Sequence, residues 1–510
     1  MKKTILIATP MDYGRDWSAF PYTVPPSPPL GILSLGSYLA AQNVPVEVID
    51  VAMDFGFGLT RAAERVVEQR IACYLHRYAQ DIAWIGISQL SNTESGVALA
   101  REIHALLPDI PIIFGGYFPS NSYRALLEMY PFITAVVRGD GEVAALEISH
   151  GLAEGRSFLS DRTPNLAWLD GSEIRATPVQ PVALDDLPIL DFQLLRHPDC
   201  YLQTALLTSR GCPCACSYCL EPNMRPYATY PITWVDRQLK HLETVVPNNR
   251  IFILDPIFGV GQKRTLEVCQ VLRERRFNYM VEARVDVLSP DLVPALHAAG
   301  VQVIYLGLES ASAGTLLRMN KVKSIAQAEA YVRDSFRVLQ ACFENQVTPL
   351  IGVMVGFPGD TEADYQATLT YVKEVKQLHE RVAAQTGSES GFVLTPFSTK
   401  VYEGSLLENI VEKDLPGVVL QDDPFIGSKG VLWSSPESDS DMASHYIAEI
   451  SKYSIYTPIA IERMQKYMLF ALKAFVEGHP ESTDEEGVTT FGDNLRRFPH
   501  GYVMSSDAKW

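Results

Sequence analysis

Short apolar runs alternate with amphipathic stretches through roughly the first 155 residues. Apolar residues at every second position, or short runs that are wholly apolar, predict strands. Apolar residues three and four positions apart predict helices. The strands and helices predicted in chain order are Thr4–Thr9, helix Leu30–Gln42, Val46–Val51, helix Arg61–His76, Ile82–Ser88, helix Thr93–Leu107, Pro111–Phe114 and Ala135–Val137. This alternation predicts βαβ units in a doubly wound parallel α/β sheet, whose ligands bind beyond the carboxyl ends of the strands.

The same alternation resumes from about residue 203 to residue 400. The predicted strands are Thr204–Thr208, Ile251–Leu254, Tyr279–Ala283, Val303–Leu308, Leu350–Val355 and Phe392–Thr395. Helices are expected between them, for example Gln262–Arg275 and Gln327–Asn345. Six strand–helix units predict a full or partial (β/α)6 TIM-like barrel, with its chemistry at the carboxyl ends of the strands.

The remaining segments connect and extend these two units. Asn165–Thr177 predicts a hairpin around Asp170-Gly171, and residues 184–191 predict an ordered linker. A helix is expected over Pro458–Glu477, so the C-terminal region is predicted to be mixed and mainly helical. The expected divisions are residues 1–158, 159–201, 202–400 and 401–510.

The charge balance excludes some partners. The chain has 43 basic and 60 acidic side chains, a formal net charge of −17. Because no basic excess exists to displace counterions, nucleic acid is not expected as a partner. No apolar run is long enough to span a membrane, and Pro10 ends the first one too early for a signal peptide. We therefore expect a cytoplasmic protein without a membrane span.

Four of the eight cysteines lie within eight residues, in Cys212-Pro213-Cys214-Ala215-Cys216-Ser217-Tyr218-Cys219. The spacing C-x3-C-x2-C can supply three thiolates to an iron–sulfur cubane and leave its fourth iron open. Zinc usually requires a second C-x2-C pair, which is absent, so zinc and a metal-free loop are the weaker alternatives. Cys214 lies outside the spacing and is interpreted as a bystander. The scattered cysteines, interpreted as buried apolar residues, are Cys73, Cys200, Cys269 and Cys342.

This loop resembles the signature of radical S-adenosylmethionine (SAM) enzymes, C-x3-C-x-aromatic-C after the first strand of a barrel. The resemblance implies that Cys212, Cys216 and Cys219 hold a [4Fe–4S] cluster whose open iron binds S-adenosylmethionine. It also implies that Tyr218 lies near the adenine. Such a cluster needs an external one-electron reductant such as flavodoxin or ferredoxin.

Further residues at strand ends resemble cofactor contacts of this family. Asp255 stands where the family often has an acidic pair, and only one acid is present. Glu282 and Arg284 resemble ribose and carboxylate contacts, and Glu309 resembles the adenine and methionine region. Gly356–Thr361 resembles the turn after the fifth strand. Each acid taken alone is also explained as a helix cap or an ion-pair partner.

The N-terminal unit resembles the Rossmann-like cobalamin-binding domain that often precedes this barrel. The residues that match, and that the resemblance implies as cobalamin contacts, are Pro29, Leu30, Gly31, Ser88, Gly115, Gly116, Tyr117, Gly139 and Glu142. Glycines suit this ligand because a flat corrin needs close backbone approach. The alternative is a degenerate interaction domain that binds no cofactor.

The lower face of cobalt is expected to lack a protein histidine. The D-x-H-x-x-G loop of other cobalamin proteins is absent, and Phe118 stands where many relatives of this family carry histidine. An empty or water-bound lower face is compatible with transfer of the methyl group as a radical.

These resemblances imply a cobalamin-dependent radical SAM methyltransferase. It would move a methyl group from methylcobalamin to an unactivated carbon of a small, natural-product-like molecule, through a 5′-deoxyadenosyl radical. Residues 401–510 would cap the substrate. The alternatives are a ring contraction or oxidative cyclisation without methyl transfer, and a non-catalytic module that binds the iron–sulfur cluster or cobalamin.

Overall fold

A computed structural model gives the fold of the chain. It describes residues 1–9, 27–58, 61–89, 93–199, 201, 203–415, 418–422, 428–435, 438–455 and 488–489. No helix in these ranges is both long and apolar enough to cross a bilayer.

The N-terminal unit is a doubly wound sheet with helices on both faces, as predicted. Its elements are β1 Lys3–Ala8, α1 Leu30–Ala41, β2 Val46–Asp50, α2 Val51–Asp54, β3 Phe57–Gly58, α3 Arg61–His76, β4 Ile82–Ser88, α4 Thr93–Leu106, β5 Ile112–Gly115, α5 Tyr117–Asn121, α6 Tyr123–Met129, β6 Ala135–Val137, α7 Glu142–Ala153, β7 Leu166–Asp170 and β8 Glu173–Ala176. The seven-stranded sheet has the order β2-β1-β4-β5-β6-β7-β8. The strand order reverses between β1 and β4. The expected ligand-binding crevice therefore lies beyond the carboxyl ends of these two strands.

The apolar run of β1 explains its central position. Leu6 packs into the core on the side of α1 and α7, while Ile5 and Ile7 pack on the side of α3 and α4. Successive strand side chains point to opposite faces, so a strand buried on both faces must be apolar at every position. The hairpin β7–β8 pairs antiparallel with β6 and therefore extends this sheet.

The second unit is a parallel six-stranded partial barrel. Its elements are β9 Thr204–Leu206, β10 Ser209–Arg210, α8 Glu221–Met224, β11 Ala228–Thr229, α9 Ile232–Val245, β12 Arg250–Ile253, α10 Gln262–Arg273, β13 Asn278–Ala283, α11 Val293–Ala298, β14 Val301–Glu309, α12 Ala313–Arg318, α13 Ile325–Glu344, β15 Thr348–Val355, α14 Glu362–Thr386 and β16 Val393–Ser398. The strands lie in chain order, β9-β12-β13-β14-β15-β16. Among the described residues β9 and β16 are the two edges of this sheet, so the prediction of a (β/α)6 barrel is confirmed in its partial form.

The linker between the two units is ordered, as predicted. The indole of Trp234 on α9 donates to the carbonyls of Leu187 and Pro188, at 3.1 and 3.0 Å. Gln238, one turn later, is bonded to both backbone groups of Leu190. These contacts hold the linker along the outer surface of the barrel.

The described C-terminal elements are a small antiparallel sheet and two helices. They are β17 Lys400–Tyr402, α15 Leu406–Asp414, β18 Val419–Asp422, β19 Ser428–Ser435, β20 Ser438–Asp439 and α16 Ser440–Ser451. A further strand, β21 Val488–Thr489, pairs antiparallel with β3 of the N-terminal unit. The predicted helix Pro458–Glu477 lies outside the described residues. One sequence prediction is wrong: Cys73 is exposed on α3, because the periodicity of the helix does not specify which positions its neighbours cover. Cys269 and Cys342 are buried as predicted, and Cys200 lies outside the described residues.

Candidate active site at the facing strand ends

The three cysteines of the C-x3-C-x2-C motif lie on one loop, just beyond the carboxyl end of β9. Cys216 is buried, and Cys212 and Cys219 are partly buried. The loop backbone is held from two sides. The Ser217 amide donates to the Met319 carbonyl at 2.9 Å, and the Ser217 carbonyl accepts from the Leu407 amide at 2.7 Å. The loop is therefore fixed by the segment after α12 and by the start of α15.

The loop offers thiols in different electrostatic settings. A hydrogen bond from the Cys214 side chain lowers the pKa of Cys212, whereas burial raises the pKa of Cys219. Within the described residues, no three cysteine, histidine or carboxylate side chains are grouped around a single ion position. Ligands of a cubane each bind a different iron, so they need not converge on one point. Three thiols from one loop, beside a guanidinium, fit the expected cluster as a donor set.

Arg284 joins the loop to the carboxyl end of β13. Its Nη1 lies 3.1 Å from the Sγ of Cys216. Asp286 accepts from the same guanidinium at 2.9 and 2.8 Å, and the Lys321 carbonyl accepts at 2.9 Å. Because the Arg284 guanidinium is hydrogen-bonded to both Asp286 and the Lys321 carbonyl, its orientation is fixed. It therefore places a positive charge beside the cluster position. Its predicted contact with S-adenosylmethionine remains a prediction.

Asp255 binds the backbone that leads from β9 into the cysteine loop. It is buried, and its carboxylate accepts from the amides of Thr208 and Ser209 at 2.6 and 3.0 Å and from the Thr208 hydroxyl. Burial nevertheless raises the pKa of Asp255 to about 6. These bonds hold the turn between β9 and the cysteines. The predicted cofactor contact of Asp255 remains a prediction beside this supporting role.

Glu309 ends β14 in a strained conformation. Its φ is +70°, a backbone conformation that residues other than glycine rarely adopt. An irregularity in the strand pairing lies between Gly307 and Glu309. One carboxylate oxygen lies 3.4 Å from the Nζ of Lys321, and the other is buried without a hydrogen-bond partner. A strained, buried carboxylate with an unmet acceptor fits a residue that binds a ligand.

Lys321 is a fully buried ammonium beside this carboxylate. Its side chain is 2% exposed, and Nζ donates to the Gly307 carbonyl at 2.6 Å. Burial lowers the pKa of Lys321, but the charges of Tyr331, Glu309 and Cys216 outweigh it and raise that pKa above its ordinary value. The site therefore contains a permanent positive charge near the cluster loop. No local sequence motif marks Lys321, so its role could not be predicted from the sequence.

Glu282 makes the stability of the cofactor-free chain depend on pH. Burial, with the nearby charges of Glu309 and Asp255, raises the pKa of Glu282 from 4.5 to about 7. The folded state therefore holds this proton more tightly than the unfolded chain. Its contribution is complete below about pH 4.5 and is lost as the pH rises through about 7, a loss of at most about 3 kcal/mol.

Urea unfolding of the wild type and of Glu282→Gln measures this effect. The amide has the same shape and no charge, so the variant should gain up to about 3 kcal/mol on the wild type between about pH 4.5 and 8. Glu267→Gln, on the outer helix α10, is the control and should follow the wild type. A difference that stays constant across this range contradicts the assignment.

The residues predicted to contact cobalamin lie around the crevice of the first sheet. Pro29, Leu30 and Gly31 begin α1, and Ser88 ends β4. Among the described residues, no atom lies within 4 Å of a Cβ added at Gly31, which is the exposed residue of this first turn. The remaining residues of the set lie at the ends of β5 and β6. Gly115 is the last residue of β5, Gly116 and Tyr117 follow it, and Gly139 and Glu142 follow β6. Glycines at these strand ends allow a flat ligand to approach the backbone closely. Their contacts with cobalamin remain predictions.

Glu142 is turned toward the barrel. It is buried at the start of α7, with Oε1 2.9 Å from Arg210 Nη1 and 2.7 Å from the Ser34 hydroxyl. Burial raises the pKa of Glu142, but the Arg210 guanidinium outweighs it and holds that pKa below its ordinary value. Arg210 directly precedes the cysteine loop. The two parallel sheets are thus joined next to the candidate cluster site.

Two family sequence models match the chain. The Radical SAM superfamily matches residues 206–372, and the B12 binding domain matches residues 24–149. The first range contains the cysteine loop and most of the barrel, and the second contains the crevice of the N-terminal sheet. A radical SAM domain carries a [4Fe–4S] cluster and S-adenosylmethionine, and a B12 domain carries cobalamin. The three expected cofactors are therefore confirmed.

Two relatives share sequence with a large part of this chain. An uncharacterized methyltransferase of Pyrococcus horikoshii is 22% identical over 396 residues, which are 75% of this chain and 80% of the relative. The anaerobic magnesium-protoporphyrin IX monomethyl ester cyclase of Rubrivivax gelatinosus is 27% identical over 299 residues, which are 55% of this chain and 51% of the cyclase.

Two solved structures share the fold. The radical S-adenosylmethionine methyltransferase TsrM of Kitasatospora setae, solved with cobalamin and a [4Fe–4S] cluster, aligns with a TM-score of 0.64 at 16% identity, covering 89% of each chain. The cobalamin-dependent S-adenosylmethionine radical enzyme OxsB aligns with a TM-score of 0.67 at 16% identity, covering 99% of this chain and 77% of OxsB. At this identity the likeness shows a common fold. The predicted fold class is confirmed by it.

Proposed function

Because the chain is a cobalamin-dependent radical SAM protein by its domain content, we propose that it is a methyltransferase acting on an unactivated carbon of a small molecule. When bound, the cluster with S-adenosylmethionine supplies a hydrogen-abstracting carbon radical, and cobalamin supplies the methyl group. A substrate carbon must then lie between the two cofactors, because both have to reach it.

The observation that carries this proposal is the contact between the two cofactor rims. The Nδ2 of Asn223, on α8 just after the cysteine loop, lies 3.0 Å from the side-chain oxygen of Asn121 on α5. Asn121 follows the Gly115–Tyr117 turn of the cobalamin crevice. The carboxyl ends of both sheets therefore meet at one boundary, as a transfer between two cofactors requires.

Each residue of the site then has a defined task. The thiols of Cys212, Cys216 and Cys219 would hold the cluster, and Arg284 would keep a positive charge beside them. Glu309, with its unmet acceptor, would bind a donor group of S-adenosylmethionine. These tasks concern binding and orientation, while water exclusion would come from residues 401–510.

A relative described as a methyltransferase supports the proposal, because the match extends over most of both chains. The match to the Pyrococcus horikoshii protein covers three quarters of this chain and four fifths of that relative, so it is longer than either family-model match. We also propose an external one-electron reductant such as flavodoxin or ferredoxin. Pro213 and Ala215 are exposed in the cysteine loop, so a protein donor can approach the cluster position.

The experiment is an anaerobic reaction with trideuteromethyl S-adenosylmethionine, titanium(III) citrate and cobalamin, using small-molecule extract of the source cells as the substrate pool. A methyltransferase should produce a compound that gains one trideuteromethyl group and an accompanying pool of 5′-deoxyadenosine. Consumption of an extract compound with 5′-deoxyadenosine but no label in any product would contradict methyl transfer.

A second candidate is a cyclisation or rearrangement without methyl transfer. It is favoured by the cyclase of Rubrivivax gelatinosus, although this chain spans about half the length of that protein. The unlabelled outcome of the same reaction, with a product whose mass reflects ring closure, would support this candidate.

A further inference from the structure

One carboxylate of the cobalamin domain binds both ends of the cysteine loop. Asp140 lies between β6 and α7. Its Oδ1 is 3.1 Å from Nη1 of Arg210, and its Oδ2 is 2.8 Å from Nη1 of Arg225. Arg210 stands two residues before Cys212, and Arg225 stands six residues after Cys219. All three cluster thiols are therefore carried on the segment between two arginines that share Asp140.

This contact is buried and balanced in charge. The side chains of Asp140, Arg210 and Arg225 are 8%, 13% and 6% exposed. Glu142 adds a second acid at 2.9 Å from Arg210, so two arginines face two carboxylates. Asp140 also accepts from the Val182 amide at 3.0 Å. Buried ion pairs of this kind restrict movement, since each charge loses its partner if the other moves.

The backbones on the two sides of the contact leave no room for side chains. Gly139 has φ +72°, and a Cβ there would lie 2.9 Å from the Met224 carbonyl. Gly211 has φ +75°, and a Cβ there would lie 2.7 Å from the Arg225 carbonyl. The turn before Asp140 is thus pressed against the end of α8, and the two ends of the cysteine loop are pressed against each other.

We propose that Asp140 is a positioning residue that fixes the cluster loop relative to the cobalamin domain. In this role it acts through its contacts with Arg210 and Arg225. The role rests on the proposed function, in which the two cofactors serve one substrate carbon. A misplacement of about 1 Å can lower the rate of such a reaction about 100-fold, so a rigid contact at this boundary has a direct consequence.

The test measures the distance between the two cofactors in the reconstituted full-length chain. Pulsed electron paramagnetic resonance on the reduced cluster and cobalt(II) cobalamin gives this distance without any substrate. The wild type should give one narrow distribution. Asp140→Asn keeps the shape and removes the charge, so its distribution should broaden or move by about 1 Å.

Asp236→Asn is the matched control. Asp236 lies on α9, and its ion-pair partners Lys240 and Arg275 both belong to the barrel unit. The distance distribution of this variant should equal that of the wild type. Arg225→Lys is the second test variant, because it keeps the positive charge and loses the planar fork, and it should give an intermediate distribution.

The outcomes separate this inference from the proposed function. If Asp140→Asn binds less iron or cobalamin than the wild type, Arg225→Lys decides the question. Distributions for Asp140→Asn and Arg225→Lys that match Asp236→Asn would overturn the positioning role while leaving methyl transfer intact. A changed distribution in Asp140→Asn, when the wild type itself transfers no labelled methyl group, would uphold the positioning role and refute the proposed function.

Discussion

Replacing Cys216 by alanine should abolish formation of 5′-deoxyadenosine. Cys216 is the buried member of the three thiols and the one that Arg284 contacts. Without its thiolate the cubane loses one of three protein ligands, and the reaction that depends on it should slow by about a thousandfold or more. Iron and sulfide analysis after anaerobic reconstitution, with chromatographic assay of 5′-deoxyadenosine, measures both effects.

Cys214→Ala is the matched control for this prediction. Cys214 lies in the same loop, outside the C-x3-C-x2-C spacing, and is partly buried. Its thiol contacts that of Cys212, so its removal should alter the setting of one ligand and leave the cluster bound. If Cys214→Ala loses the cluster and Cys216→Ala keeps it, the assignment of the three ligands is wrong.

Replacing Lys321 by methionine should strongly destabilise the cofactor-free chain. The ammonium of Lys321 is the ion-pair partner of Glu309, and both side chains are buried. Removing one member of a buried pair leaves an uncompensated charge, which lowers the free energy of unfolding by about 3–5 kcal/mol. Urea or guanidinium unfolding followed by circular dichroism measures the change.

The neighbouring Lys323 supplies the control. Lys323 is exposed. Within the described structure, its ammonium donates one hydrogen bond, to the side-chain oxygen of Asn320. Lys323→Met should change the free energy of unfolding by less than about 0.5 kcal/mol. The double variant Lys321→Met with Glu309→Gln should recover part of the loss, since the buried charge is then removed as well. Equal unfolding midpoints for Lys321→Met and Lys323→Met would refute the buried ion pair.

Local patterns in the sequence predict the fold well. The strand Ile82–Ser88 and the helix Arg61–His76 have the bounds that their periodicity predicts. The cysteine motif lies just beyond the strand that precedes it in the sequence. Such features depend on neighbours in the chain, so the sequence contains the information needed to find them.

Contacts between distant segments could not be predicted in this way. Lys321 and Glu309 are brought together by a strand end and a turn, and Asp140 meets Arg210 across 70 residues of chain. Arg210 lies beside the cysteine motif, but nothing in the sequence indicates that Asp140 is its ion-pair partner. The exposure of Cys73 had the same origin, because a helical repeat does not define what lies against each face. Pairing between units is therefore the information that the structure adds.

The arrangement also explains why two cofactor domains would share one chain. Each parallel sheet places its ligands beyond the carboxyl ends of its strands, and the two sets of ends meet at the cysteine loop. Asn121 and Asn223 lie at this boundary, and Asp140 joins its two sides. A substrate bound there would be within reach of both cofactors.

The most direct test of the whole account is the cofactor content of the full-length chain after anaerobic reconstitution with iron, sulfide and hydroxocobalamin. We expect about four irons, about four sulfides and about one cobalamin per chain. The optical spectrum should contain a charge-transfer shoulder of the cluster together with the corrin bands. Zinc in place of iron at the cysteine loop, or a corrin that washes off completely, would contradict it.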